Sequence, residues 1–79
     1  MTAEYKIIEY RNKKGMLHRT SGPAWISDDG ETWWMNGVLH RIDGPAIDYP
    51  GHKEWYVNGN RIQLRKTSIK YLLIEGNNE

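Results

Sequence analysis

A tandem repeat constrains this chain more than any other feature. Leu17-His18-Arg19-Thr20-Ser21-Gly22-Pro23-Ala24 returns as Leu39-His40-Arg41-Ile42-Asp43-Gly44-Pro45-Ala46, identical at six of eight positions and offset by 22 residues. At the same offset Trp33-Trp34-Met35-Asn36-Gly37 returns as Trp55-Tyr56-Val57-Asn58-Gly59, and Gly15 falls in register with Gly37 and Gly59. A fixed internal period means that one supersecondary unit is used twice. The connecting segments differ, Ser27-Asp28-Asp29-Gly30 against Tyr49-Pro50-Gly51-His52, which is the variation a turn tolerates.

Each unit reads as a pair of hairpins. Proline fixes φ and lacks a donor, so Gly-Pro-Ala stands at a strand entrance, and strands are expected over Ala24 to Ser27 and Ala46 to Tyr49. Asp29-Gly30 and Pro50-Gly51 supply turn chemistry. The Trp-rich segments Glu31 to Met35 and Lys53 to Val57 return as strands. Asn36-Gly37 and Asn58-Gly59 are type I′ turn sequences, handing the chain to Val38 to Arg41 and Asn60 to Leu64. Glu4 to Tyr10 reads as a further strand, which turns through Asn12 to Gly15 into Met16 to Arg19. The predicted fold is mainly β, an antiparallel meander of about six to seven short strands.

The tail leaves the repeat. Thr67 or Ser68 can cap a helix in which Ile69, Leu72 and Leu73 fall at helical spacing before Gly76. A short C-terminal helix over 67–76 is the expectation, covering a sheet face or the last edge, with a strand through Tyr71 to Ile74 as the competing reading. Asn77 to Glu79 are expected to be loose. One domain over 1–79 then divides into an N-terminal strand and turn (1–14), repeat 1 (15–36), repeat 2 (37–58), a last strand (59–66) and the helix.

Composition limits the function classes. A chain of 79 residues buries only about 60 to 65% of its unfolded surface, too little for a deep catalytic cleft. It has no cysteine, so neither disulfides nor thiolate metal sites contribute, and a reducing cytoplasm is compatible. Met1 to Tyr5 holds no basic-then-apolar run, and the longest apolar run, Tyr71 to Ile74, is far short of a membrane span. The expectation is a cytoplasmic protein without a membrane partner. Eleven Lys and Arg against ten Asp and Glu leave a formal charge of +1, so no field of one sign draws nucleic acid non-specifically. All nine aromatics are Trp or Tyr, side chains with an apolar body and a polar tip that suit half-buried surfaces and interfaces.

The paired His-Arg-x-x-Gly-Pro-Ala blocks, each followed by Trp-Trp or Trp-Tyr and then Asn-Gly, resemble a hairpin repeat common in small proteins of tailed bacteriophages. The repeat is similar in outline to variant MORN-type repeats. The resemblance spans Gly15 to Asn60, more than half of the chain. It implies a phage or phage-like origin, and with it a short protein that binds and inhibits a host factor, such as a defence complex of the CRISPR type. The Trp-Tyr-x-Asn-Gly rhythm is also similar to cell-wall choline-binding repeats, but the His-Arg-x-x-Gly-Pro-Ala block is foreign to those.

His18, His40, Arg19 and Arg41 invite a catalytic or phosphate-binding reading. A need that recurs in every unit explains a residue that recurs in every unit more simply, and the expected role is to bond neighbouring loops. No nucleophile-base pair or paired-carboxylate arrangement follows from the spacing. His18, His40 and His52 lie 22 and 12 residues apart, without local ligand logic. No enzymatic activity, cofactor or metal is expected.

Specificity is therefore expected at positions the copies do not share. The partner-binding candidates are Trp25, Trp34, Met35, Tyr49 and Tyr56, with the acidic turn Asp28-Asp29. Alternation puts Trp33 and Met35 on one side of a strand and Trp34 and Asn36 on the other, so both sides carry aromatics and one row stays partly exposed. That row would meet a host protein or a second copy of the chain. Nucleic acid is the alternative partner, contacted by Lys13, Lys14, Arg61, Arg65 and Lys66 if the two ends of the chain meet.

Overall fold

Turn chemistry and strand entrances place the elements. The computed structural model describes the backbone of residues 4–66 and 71–75 and the side chains of residues 4–63. The strands are β1 (Ile7–Glu9), β2 (Trp25–Ser27), β3 (Glu31–Thr32), β4 (Trp34–Met35), β5 (Val38–Leu39), β6 (Ile47–Tyr49), β7 (His52–Val57), β8 (Asn60–Lys66) and β9 (Tyr71–Glu75). Seven of them form one antiparallel sheet in the order β1-β2-β3-β6-β7-β8-β9, and β4 and β5 pair separately. The chain is mainly β, as its alternation and turn residues predict, with no helix among the described residues.

The expected continuous meander is corrected in one respect. Each Trp-rich segment changes partners halfway along. In repeat 1 the change breaks the strand at Trp33, whose N–H donates to Ala46 O (2.8 Å) and whose carbonyl accepts from His40 N (3.0 Å). Glu31 and Thr32 stay in the main sheet between β2 and β6, while Trp34 and Met35 turn away to pair with Leu39 and Val38. In repeat 2 the same exchange occurs inside the unbroken β7. His52 to Glu54 pair with β6, and Trp55 to Val57 pair with β8.

Both Asn-Gly turns form as predicted. Asn36 and Asn58 have φ of 48° and 52°, and Gly37 and Gly59 have 86° and 81°, the left-handed pair that a type I′ turn requires. Three expected strands shrink markedly, the first being Glu4 to Tyr10, which is reduced to Ile7–Glu9. Met16 to Arg19 is reduced to one bridge between Arg11 and Leu17. Val38 to Arg41 ends at Leu39, because His40 and Arg41 are taken up by contacts between units. The N-terminal segment is a partial unit, in which Tyr10 does what Trp33 does. Tyr10 N donates to Ala24 O at 2.8 Å and its carbonyl accepts from His18 N at 2.9 Å.

The C-terminal helix is also corrected where the chain is described. Tyr71–Glu75 is a strand along β8, with Leu64 opposite Leu73 and Gln63 opposite Ile74. The edge of β8 needs hydrogen-bond partners, and a run of Tyr, Leu and Ile supplies a strand as readily as a helical stripe. Residues 67–70 and 76, also assigned to the helix, and the expected loose end 77–79 lie outside the described residues.

Little of this molecule is deeply buried. Ala24 and Ala46 have no exposed surface and Ile62 has 5%, and no large described side chain is fully buried. The units are instead joined by polar contacts that repeat with the sequence. His18 Nδ1 accepts from Asn36 N and His40 Nδ1 from Asn58 N, both at 2.9 Å. Arg19 donates to Pro23 O at 3.2 Å and Arg41 to Pro45 O at 3.1 Å. Each guanidinium also covers an aromatic ring earlier in the chain, Arg19 on Tyr10 at 3.9 Å and Arg41 on Trp33 at 3.7 Å. Gly22 and Gly44 give the guanidinium its room, since a Cβ there would meet Arg19 Cζ at 3.2 Å and Arg41 Cζ at 2.7 Å.

These contacts make a stability prediction. Arg41→Lys keeps the charge but loses the planar group that covers Trp33 while donating to Pro45 O and Asp43. It is expected to lower unfolding free energy by about 1 to 2 kcal/mol in urea, whereas Lys14→Arg on the exposed first turn stays within about 0.5 kcal/mol.

Candidate functional site

The sheet register sorts the candidate residues by face. Glu9 lies opposite Trp25, Trp25 opposite Thr32, Thr32 opposite Ile47, and Ile47 opposite Glu54. Directly opposed residues point to the same side, as do residues two apart along a strand. Tyr49 and Tyr56 therefore join Trp25 on one face, and Trp34, beyond the break at Trp33, is tied to that face by its bond to Thr32. Side-chain bonds agree with that register. Trp34 Nε1 donates to Thr32 Oγ1 at 2.7 Å, and Tyr56 OH donates to Glu54 Oε1 at 3.2 Å.

All four aromatics are half-buried, so each has a wall to lean on and an edge in solvent. Tyr49 leans on Gly30, where a Cβ would come within 2.6 Å of its ring. That glycine is required for close approach, a role that the turn sequence alone does not disclose. Met35 does not join the group. It lies opposite Val38 in the separate hairpin, one residue out of phase with Trp34.

Asp28 and Asp29 are exposed in the turn joining β2 to β3. Asp29 Oδ2 accepts from the Tyr5 hydroxyl at 2.9 Å, and Asp28 Oδ2 accepts from Lys6 N at 3.3 Å. Both carboxylates thus help to hold the N-terminal strand. With Ser27, Asp48 and Lys53 they line an open hollow at the same end of the sheet.

The basic candidates do not converge. Lys13 and Lys14 project from the turn after β1, beside Asn12, Met16 and Asn36. Arg61, Arg65 and Lys66 belong to β8, five strands away across the sheet order. Arg61 is mostly exposed and stands 3.9 Å from Glu54. The single patch expected if the chain ends met is therefore not formed, because a sheet built in near-sequential order holds its first and last strands apart.

Sequence reading did not identify Glu54 as a centre of this face. Its carboxylate accepts from Tyr56 and lies 2.8 Å from His52 Nε2 and 3.9 Å from Arg61 Nε. The signal was the Thr32/Glu54 difference between the copies, read with Trp34/Tyr56 two residues on. Partial desolvation pushes the Glu54 carboxyl up, but bonds from Tyr56 and His52 and the charges of Arg61 and His52 outweigh it and hold the group below its usual range. Burial and the Glu54 bond together push the Tyr56 hydroxyl up. Among the described residues no group of three or more His, Cys, Asp or Glu is placed to hold a metal, and no helix is long and apolar enough to cross a membrane.

No family model, curated protein or solved structure matches this chain.

The Glu54 cluster gives a signed pH dependence. A carboxyl depressed in the folded state contributes stability above its unfolded pKa, near 4.3 for a glutamate, and that contribution is lost as pH falls through the lower folded value. The stability difference between wild type and Glu54→Gln is expected to be largest at pH 6 and to shrink steadily below about pH 4.5, measured by urea unfolding across pH 3 to 7.

Proposed function

We propose that this protein is a non-catalytic binding module that recognises another protein through the face carrying Trp25, Trp34, Tyr49 and Tyr56. The observation that carries this reading is their shared face at half-burial. Aromatic side chains held in this way offer large contact area at low entropic cost on binding. Trp34 and Tyr56 are further fixed by their bonds to Thr32 and Glu54. Each of the four has a different residue in the other repeat, Trp25 against Ile47, Trp34 against Tyr56 and Tyr49 against Ser27. Asp28 and Asp29 would form an acidic rim to the same surface.

The resemblance to phage hairpin-repeat proteins supports a narrower reading, a phage-encoded inhibitor acting in the host cytoplasm on a host protein or defence complex by direct contact. Nucleic-acid binding is less well supported, because the basic residues are split between opposite ends of the sheet and the formal charge is only +1.

The test is affinity capture from bacterial lysate with wild type, a Trp34→Ala/Tyr56→Ala double variant and a Lys13→Ala/Lys14→Ala double variant, each checked for folding by circular dichroism. One specific protein is expected with wild type and with the lysine variant. Its affinity for the aromatic variant should fall by at least about 30-fold, the loss of a hot-spot pair. Undiminished capture by the aromatic variant, or capture of nucleic acid that vanishes with salt, would refute the reading.

A further inference from the structure

The sheet ends in β1 on one side and β9 on the other. Among the described strands β1 pairs only with β2, and none lies along its outer edge. Lys6 N donates to Asp28 and Tyr10 N to Ala24 O, so the even-numbered residues of this strand direct their backbone groups toward β2. By alternation Ile7 and Glu9 direct theirs outward. Around that edge Tyr5 is 53% exposed, Ile7 48%, Ile8 51% and Tyr10 38%. Apolar side chains are thus exposed on both faces of an edge that has neither proline nor a positive-φ residue from Tyr5 to Tyr10, features that otherwise discourage pairing.

We propose that this edge pairs antiparallel with the same edge of a second copy, across a two-fold axis at Ile8. Charge and shape select this occupant and this register. An antiparallel joint must set outward residues opposite outward residues, which leaves three alignments centred on Ile7, Ile8 or Glu9. Centring on Glu9 opposes two carboxylates. Centring on Ile7 sets Lys6 against Ile8 of the other copy and brings the two lysines into diagonal contact.

Centring on Ile8 sets Ile8 against Ile8, Ile7 against Glu9, Lys6 against Tyr10 and Arg11 against Tyr5. Every cation then faces a tyrosine, and Glu9 keeps its own Arg11 at 3.0 Å. A cation laid on an aromatic ring is already how this chain joins its units, in Arg19 on Tyr10 and Arg41 on Trp33. The joint is also at least as long as one the chain uses internally, because β3 and β6 meet through only two residue pairs. The resulting interface is isologous and closed, and leaves the Trp34 and Tyr56 positions outside the contact.

The absence of cysteine makes the test direct. In this register the position-8 Cα atoms form a non-hydrogen-bonded pair about 4.5 Å apart, within the roughly 4.4 to 6.8 Å that a disulfide spans. Position 7 faces position 9 and has no such mate. Under mild oxidation Ile8→Cys is expected to give at least tenfold more covalent dimer than Ile7→Cys. In sedimentation equilibrium the wild type should show a monomer–dimer equilibrium whose dissociation constant rises at least tenfold in Ile8→Lys. Both positions are about half exposed, and circular dichroism confirms that each variant is folded. A wild type that stays monomeric at millimolar concentration, equal cross-linking from positions 7 and 8, or a dimer indifferent to Ile8→Lys would each overturn the proposal. Because Trp34→Ala/Tyr56→Ala leaves this edge intact, loss of partner binding and loss of the dimer are separable results.

Discussion

The fold depends on how each unit is fastened to the next without a deep core. With Ala24, Ala46 and Ile62 the only buried hydrophobic side chains among the described residues, apolar burial in any one layer is modest, and the joints must be supplied by directed contacts. Histidine and arginine of each block divide that work. The imidazole accepts a backbone N–H from the following Asn-Gly turn, 18 residues ahead. The guanidinium covers the ring behind it and closes its own loop through the proline carbonyl. Such contacts contribute about 0.5 to 1.5 kcal/mol each, so their repetition matters more than any single one.

This division explains the block residue by residue. Leucine supplies the carbonyl that receives the turn glycine, Gly37 on Leu17 at 2.9 Å and Gly59 on Leu39 at 2.8 Å. Glycine leaves room for the guanidinium, proline offers its carbonyl, and the buried alanine lets adjacent backbones approach. The two unshared positions of each block, Thr20-Ser21 and Ile42-Asp43, are exposed. Identity between the copies therefore follows contact between units, and variation follows solvent or the aromatic face.

The hairpins, the left-handed Asn-Gly turns and the structural use of His and Arg were legible in the sequence, because each follows from local chemistry or from the period itself. Other features were not, and for separable reasons. Partner exchange at Trp33 is a tertiary choice, fixed by Ala46 O reaching into the strand. The helical spacing of Leu72 and Leu73 was outweighed by an open neighbouring edge, which no local pattern reports. Met35 was grouped with Trp34 because the copies differ at both positions, although alternation separates them. Glu54 was overlooked because its importance lies in Tyr56, His52 and Arg61 around it. The basic clusters were conditional on the chain ends meeting, and the sheet order keeps them apart.

The repeated imidazoles fasten one unit to the next. Long-range proton–nitrogen NMR on the two histidines tests that role most directly. Both rings should carry their proton on Nε2, with Nδ1 coupled through the hydrogen bond to the Asn36 and Asn58 amides and those amides slow to exchange. Nδ1–H tautomers, or Asn36 and Asn58 amides exchanging as fast as those of the exposed Lys13-Lys14 turn, would contradict it.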